Sequence, residues 1–527
     1  MSGSSSVSAA NGFIDLATFS ELESFLYGGP LAISWFVAGV QKANWFTVVP
    51  IQLRNNGTFG FGAEGVSASL NRSGDYVLNV WFRCEIPTIV PKGSGIENPV
   101  DETSGQNNSG TPGLDQAEGR WTRHLMHNLI KKCSITFNEL TVEEFDNYWL
   151  DFNYMFRVPA SKRVGYKNMI GDIPTLLTSW EAGANKDNVA AGLKRGLYGG
   201  TYSVVLPFWF GEDSGIALPV AALPFNDVKI NYEFRRAEDL LVLRNCSVAD
   251  LVCMDPAVDA ATGLPSPKVL LTGAVQFRNA HTYAHYAVIH NDERTKMGDA
   301  PRDMLIRQVQ TVSVSNVRPT DTEVVFDVRL SHSIVAFFFA MRNASRHGDW
   351  SNYTTNFDMG IPAPAGEFDT PTGIFPTFQG GRQRVTHWDP ISRTQLIYEN
   401  TLRLDSDSDF FSVIHPYLFS DAVADEPGYH MWSYAIKPWD HLGPSGSSNF
   451  SKLANVQVRH TLSPVARYFL DTANSLKRSP IEPNEDDDQD LVTEGGNNKN
   501  LKLSNVFVAT NHNIARVANG SLGHPTL

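Results

Sequence analysis

The chain is short of cysteine and of charge, and each shortage excludes a class of protein. Its four cysteines, Cys84, Cys133, Cys246 and Cys253, are too few and too scattered for a disulfide framework, and none has the C-x-x-C spacing of a zinc or redox pair. Cys246 and Cys253 could pair across their loop, but buried or idle thiols are the commoner state. Only 19% of the 527 residues are charged, and acids outnumber bases to a formal net charge of −13. That sign repels nucleic-acid phosphates, so direct nucleic-acid binding is not expected. Long apolar runs are also missing. Leu31 to Val40 and Ile334 to Met341 are the longest, well short of the ~20 residues that cross a bilayer. The Ser-rich start, Met1 to Ala10, lacks the basic and apolar regions of a secretory signal, so cytosolic synthesis is expected.

What is present reads as strands. Hydrophobic residues make up 42% and aromatics 11%, enough for sizeable cores, and at roughly 150 residues per domain the length allows three to four domains or two large ones. Tyr76–Ile86, Val228–Phe234, Glu323–Leu330 and Val456–His460 alternate apolar and polar residues between Gly, Pro, Asn and Asp. Prolines at 87, 159, 207, 219, 224 and 416 argue against long helices. Two helices are expected against this background. One follows a capping box at Thr18 and Glu21, with Leu22, Phe25 and Leu26 at helical spacing before Gly28-Gly29-Pro30. The other follows Thr141 and Glu144 and carries a stripe of Phe145, Tyr148, Trp149, Phe152, Met155 and Phe156 up to Pro159, the pattern of a helix docking on a sheet.

Three polar stretches, Lys92 to Gly119, Ser345 to Arg382 and Ser479 to Asn500 with the acidic run 485–490, read as oversized loops. The chain also hints at duplication. The strand after Gly74-Asp75 and the later Val228–Tyr232 segment have counterparts after Asp321 and in Val456–His460.

Catalytic and cofactor signals are mostly negative. Gly60-Phe-Gly62-Ala-Glu-Gly65 satisfies G-x-G-x-x-G, but an alternating run follows it instead of a helix, so a glycine-rich turn is expected. No Walker loop, H-E-x-x-H or G-x-S-x-G occurs. Asp405-Ser-Asp407-Ser-Asp409 begins like a calcium loop, yet Phe410 and Pro416 stand where glycine and glutamate are needed; a turn entering a Phe410 to Ile414 strand is expected. His281, His285 and His290 are the closest histidine grouping identified, without a third ligand at metal spacing. Neither a metal nor a cofactor is therefore expected, and the eight N-x-S/T sequons read as coincidental.

Specific strings point further. Gly12-Phe-Ile-Asp-Leu-Ala-Thr18 leading to Tyr27-Gly-Gly29, Arg72-Ser-Gly-Asp-Tyr76, Arg120-Trp-Thr122 with Met126-His-Asn128, Asn168-Met-Ile-Gly171, Asp213-Ser-Gly215, Tyr398-Glu-Asn-Thr401, Pro444-Ser-Gly446 and Asn511-His-Asn-Ile514 resemble the iridovirus-type major capsid proteins of large nucleocytoplasmic DNA viruses, including ascovirus and marseillevirus relatives. The resemblance runs from residue 12 to the C-terminus and departs mainly in the three long loops. It implies an all-β double jelly roll, two tandem eight-stranded antiparallel sandwiches with short helices in loops and an N-terminal helix. The expected division is a base segment 1–40, a first roll 41–236, a linker 237–270 and a second roll 271–527. The implied function is structural, with no catalytic step: homotrimers form pseudo-hexagonal capsomers that tile an icosahedral shell, assembled in the host cytoplasm and located in the virion. The implied partners are neighbouring capsomers, minor capsid and penton proteins and an internal membrane. The resemblance also places Phe19, Leu22, Phe25 and Leu26 at the capsomer base and the long loops in outer towers. From another class, a two-domain β-sandwich glycan-binding protein or glycoside hydrolase would share the strand pattern.

Overall fold

A computed structural model describes residues 9–91, 118–181, 197–355, 388–470 and 501–523, less 31, 38, 40–41, 178–179, 198, 245–246, 255–256, 259–264, 267–269, 272–274, 300, 346, 441–442 and 519. The acidic run 485–490, Cys246 and most of the three expected loops lie outside the described residues. The chain divides into two units, 1–45 and 46–527, and among the described residues of the second, sixteen strands build its four main sheets.

The first eight are β1 (Phe46–Gln52), β2 (Val66–Ser69), β3 (Tyr76–Ile86), β4 (Ile130–Phe137), β5 (Leu140–Asp146), β6 (Gly200–Leu206), β7 (Val228–Phe234) and β8 (Arg278–Ile289). They form two antiparallel sheets in the orders β1-β8-β3-β6 and β2-β7-β4-β5. The next eight are β9 (Arg302–Asn316), β10 (Glu323–Asp327), β11 (Ser333–Asn343), β12 (Ile391–Tyr398), β13 (Thr401–Asp407), β14 (His430–Ser433), β15 (Val456–Leu462) and β16 (Leu503–Ala518). Their orders, β9-β16-β11-β14 and β10-β15-β12-β13, repeat the first set with eight added to each number. Among the short strands, Arg54–Asn56 extends the sheet edge beside β2 and Ser521–Gly523 pairs with the end of β16. The chain is a double jelly roll, and its duplication extends to detail. Both fourth-to-fifth-strand connections are two-residue turns with positive φ at each residue, Asn138 and Glu139 in one roll and Glu399 and Asn400 in the other, the geometry that matches a hairpin's twist. The seventh strands, β7 and β15, share one alternation of buried and half-buried residues.

Two expected placements are corrected by the pairing. β8, assigned from sequence to the second roll, pairs with β1 and β3, so the first roll closes at Ile289. Residues 237–270 connect its seventh and eighth strands, and within them Leu241–Arg244 and Leu251–Met254 pair back onto first-roll strands. The crossing between rolls is α6 (Asn291–Asp299), where Arg294 makes a two-pronged ion pair with Asp75 at 2.8 and 2.9 Å. Among the strands after Asp321, the partner of β3 in the duplication is β11, the third strand of its roll, while β10 matches β2.

Antiparallel pairing also sorts the connections by end. β4 and β5 are joined by a tight turn at one end, so the β3–β4, β5–β6 and β7–β8 connections all emerge at the other, and the second roll repeats this. The long insertions therefore share one end of each roll. Because β1 runs antiparallel to β8, the chain enters the first roll at the opposite end.

Helices fill the long-connection end. α3 (Leu125–Leu129) is buried along its length. α4 (Asn147–Arg157) begins where the Asp146 carboxylate accepts the Trp149 N–H, and α5 (Ala160–Ile170) follows directly on Pro159. The expected cap at Thr141 and Glu144 is corrected: both residues lie in β5, where they pair with Thr136 and Ser134 of β4, and the helix starts later. Its aromatic stripe does dock on a sheet. Phe338 of β11 meets Trp149, Phe152 and Phe156 at ring separations of 5.6, 5.8 and 5.7 Å. Ala336, Phe338 and Ala340 thus face the first-roll core, while Phe337, Phe339 and Met341 face the second. The Ser345–Thr355 part of the second expected loop is likewise no surface loop: Ser351, Asn352 and Thr354 are buried, and Trp350 sits between the guanidiniums of Arg235 and Arg342 at 3.8 and 3.9 Å.

The seam is also tied electrostatically. Arg123, just before α3, donates to Glu426 of the second roll at 2.9 Å. Burial would raise the Glu426 carboxyl, but the charge and hydrogen bonds of Arg123 hold it below its ordinary value. A depressed folded-state pKa contributes stability that is present above the unfolded value and lost as pH falls through the folded one. Glu426→Gln should therefore lower the urea midpoint at pH 7, and the gap to wild type should close as the titration is repeated towards pH 3. Glu426 keeps 19% of its side chain exposed, which discounts the cost to about 1–3 kcal/mol against the 3–5 of a fully buried pair. Phe338→Ala should cost about 3–5 kcal/mol, whereas Leu402→Ala, at a site 52% exposed, should stay within about 0.5 kcal/mol in the same titration.

Candidate functional site: an exposed apolar segment and a buried imidazole cluster

The N-terminal unit contains α1 (Ala9–Ala17) and α2 (Glu21–Leu26). The capping box that starts α2 is two residues later than the spacing suggests. Ser20 is the cap, and its N–H donates to the Glu23 carboxylate at 3.1 Å, whereas the Thr18 hydroxyl donates back to the Asp15 carbonyl and finishes α1. The apolar residues of this unit are exposed: Phe19, Leu22, Phe25 and Leu26, together with Phe13, Ile14, Trp35 and Phe36. Monomeric soluble proteins rarely expose apolar groups in such density, and where they do, a partner surface is the usual reason.

A second feature lies inside the seam between the rolls. His124 precedes α3 with a left-handed backbone, φ 46° and ψ 53°, and His127 stands within α3, so both imidazoles meet Asp151 of α4. Nδ1 of each ring lies on the same carboxylate oxygen, Oδ1, at 2.9 and 2.8 Å. Oδ2 accepts the hydroxyls of Ser351 and Tyr353 of the second roll at 2.7 and 2.9 Å. Nε2 of His127 meets the Tyr166 hydroxyl at 2.8 Å, and Nε2 of His124 is 3.8 Å from the Asp172 carboxylate.

The three central side chains are fully buried, and the electrostatics follow from that. Burial would raise the Asp151 carboxyl, but the charge and hydrogen bond of His124 and those of His127 push it far below its ordinary value. Burial would lower His124, yet Asp151 and Asp172 raise it. Burial prevails at His127 and lowers it.

The histidines singled out from sequence are elsewhere. His281 and His285 share the outer face of β8, where His285 and Tyr283 pack on Trp81, and His290 follows that strand. Sequence reasoning missed the cluster that does form, although H-x-x-H at 124 and 127 was its available signal. The G-x-G-x-x-G string is a turn leading into β2, with Gly62 and Gly65 at positive φ, as expected. The acidic run at 405–409 departs from expectation. Asp405 and Asp407 belong to β13, Asp405 pairs with Arg393, and Phe410–Ile414 is a wide helical turn, not a strand. Asn343 and Asn352 are buried, which suits coincidental sequons.

Comparison with known proteins agrees with this architecture. Residues 34–288 match the family described as major capsid protein N-terminus, and residues 293–523 match the large eukaryotic DNA virus major capsid protein family. The gap between the two matches falls where β8 ends and α6 begins. The major capsid protein of Costelytra zealandica iridescent virus is 39% identical over 99% of both chains, and that of Wiseana iridescent virus is 40% identical over 98% of this chain and 93% of its own. Among solved structures, VP54 of PBCV-1 superposes with a TM-score of 0.63 at 18% identity, covering 94% of this chain and all of its own. The Faustovirus major capsid protein gives 0.61 at 12% identity, with 93% of each chain covered. Two rolls of one strand order, family matches that divide between them and near-full-length identity to iridescent-virus relatives establish that the chain belongs to the major capsid protein family of large eukaryotic DNA viruses.

Proposed function

We propose that the chain acts as a homotrimeric, pseudo-hexagonal capsomer that tiles an icosahedral shell, by assembly without a chemical step. The observation that carries this reading is the shared apolar layer at α4 and β11. It joins two rolls of equal topology into one fixed pair, so three chains supply six near-equivalent wedges, and six is the number that fills a hexagonal position. Contacts within the trimer then bury apolar surface of obligate character, and contacts between capsomers are smaller and more polar. Assembly takes place in the host cytoplasm and the product resides in the virion.

The two ends of the rolls carry different tasks on this reading. The long connections face outward and vary without disturbing the sheets. The segment before β1 serves as the base, where Phe19, Leu22, Phe25 and Leu26 meet minor capsid proteins or the internal membrane. Their exposure supports this role, and the net charge of −13 suits a shell that does not itself bind the genome.

Light scattering behind size exclusion should give three times 58.2 kDa, and negative-stain images should show six lobes; a monodisperse monomer would overturn the trimer. Replacing Phe19, Leu22, Phe25 and Leu26 together by Ser should leave trimers intact and reduce their incorporation into particles. Unchanged incorporation would remove the base role.

A further inference from the structure

The imidazole cluster at the seam has the form of a metal site. One donor atom from each of His124, His127 and Asp151 lies within 4.8 Å of the other two, and all three side chains are fully buried. The far atom of each group faces a partner. Tyr166 meets Nε2 of His127, Asp172 stands 3.8 Å from Nε2 of His124, and Ser351 and Tyr353 hold Oδ2 of Asp151. Metal-binding histidines and carboxylates are oriented by partners of this kind on the atom that does not bind. Hydrogen bonding alone leaves one anomaly: Nε2 of His124 is buried without a hydrogen-bond partner, although both of that ring's nitrogens face carboxylates.

We propose that His124, His127 and Asp151 supply three ligands to one zinc-type divalent transition-metal ion at the seam between the rolls, with a water completing its tetrahedron. Two imidazole nitrogens and one carboxylate oxygen suit a borderline cation of that class, whereas calcium and magnesium require mostly oxygen ligands. The present N···O separations of 2.9 and 2.8 Å are hydrogen-bond lengths. Ligands about 2.0–2.1 Å from a tetrahedral ion stand about 3.3 Å apart, so loading needs each ring to retreat by roughly half an ångström. Binding through Nδ1 leaves each ring N–H on Nε2. His124 then donates towards Asp172, which satisfies its unpartnered nitrogen, and His127 donates to the Tyr166 oxygen. The left-handed backbone at His124, which non-glycine residues seldom adopt, accompanies the placement of the two imidazoles on one oxygen. All three ligands come from connections of the first roll, so the ion would fix the position of Asp151, whose Oδ2 the Ser351 and Tyr353 hydroxyls of the second roll reach.

The test uses full-length protein produced with zinc in the medium and dialysed into metal-free buffer. Elemental analysis should find about one zinc per chain. Exchange for cobalt(II) should give the visible absorption of a tetrahedral nitrogen and oxygen site. Removing zinc with dipicolinate should lower the thermal midpoint, and adding zinc back should restore it. His127→Gln and Asp151→Asn should lose the metal, while His281→Gln on the outer face of β8 should retain it. Wild-type protein with less than about a tenth of an equivalent and a midpoint indifferent to zinc and chelator would overturn the proposal, as would full zinc content in folded His127→Gln. The wild-type measurements decide the matter even where a buried-site variant fails to fold.

Discussion

One strand has to serve two cores. Along β11, Ala336, Phe338 and Ala340 belong to the apolar cluster of the first roll and its helices, and Phe337, Phe339 and Met341 belong to the cluster of the second. Side chains on a strand alternate between faces, so a slip of one residue would exchange the two sets and present each core with the wrong shapes. β16 beside it carries the same duty, with Val506 and Val508 on one side and Phe507 and Ala509 on the other. A sheet buried on both faces reads as a continuous apolar run, and for that reason Ile334 to Met341 resembles a membrane segment in hydropathy while being a strand. The two rolls therefore form a pair fixed in register, and α4, whose stripe covers Phe338, is the piece that keeps the outer face of this sheet from water.

The duplicated strand order explains where the chain can vary. Pairing puts the β3–β4, β5–β6 and β7–β8 connections at one end of the first roll and their counterparts at one end of the second. At the other end, hairpins such as Asn138-Glu139 and Glu399-Asn400 allow no insertion without disturbing the register of the strands they join. Most of the extra length accordingly falls at the long-connection end of each roll, with the β6–β7 and β14–β15 connections the exceptions at the hairpin end. Part of it turns inward to build the seam, as α3, α4 and the Gly348–Thr355 segment do, and the remainder is available for surfaces. The opening estimate of three to four domains or two large ones resolves into two rolls plus their connections.

Much of this was legible in the sequence, and the misses have physical causes. Alternating strands, the docking stripe on α4 and the equivalence of Val228–Phe234 with Val456–Leu462 follow from periodicity, because each element's own burial sets its pattern. The boundary at 236 failed because strand eight joins the first roll through pairing across more than two hundred residues, which no local pattern records. The caps at Thr18 and Thr141 failed because threonine and glutamate at that spacing also suit a helix end and a strand. Phe410–Ile414 has strand-like composition, yet the chain turns there and buries Phe411 against Phe339. The His124 cluster was hidden for a different reason: its members come from α3, α4 and the second roll, and only the fold brings Ser351 and Tyr353 to Asp151.

Why a charged cluster occupies a seam otherwise built of aromatics is a question of specificity. Replacing a buried ionic group by apolar residues often costs nothing in stability, so stability alone does not explain retaining one. The hydrophobic effect, however, is non-directional and by itself distinguishes poorly among alternative packings of two apolar faces. Asp151 does distinguish them. Its two oxygens accept from His124, His127, Ser351 and Tyr353 within 2.7 to 2.9 Å, and a displacement of one roll by an ångström would leave its buried Oδ2 without the two hydroxyl donors of the second roll. Arg123 and Glu426 add a second condition of the same kind at the rim. The aromatic layer supplies adhesion between the rolls, and the polar cluster selects one geometry from the many that adhesion would permit. A subunit that must repeat around a shell needs that selection, because an angular error within each chain would be copied into every contact that follows.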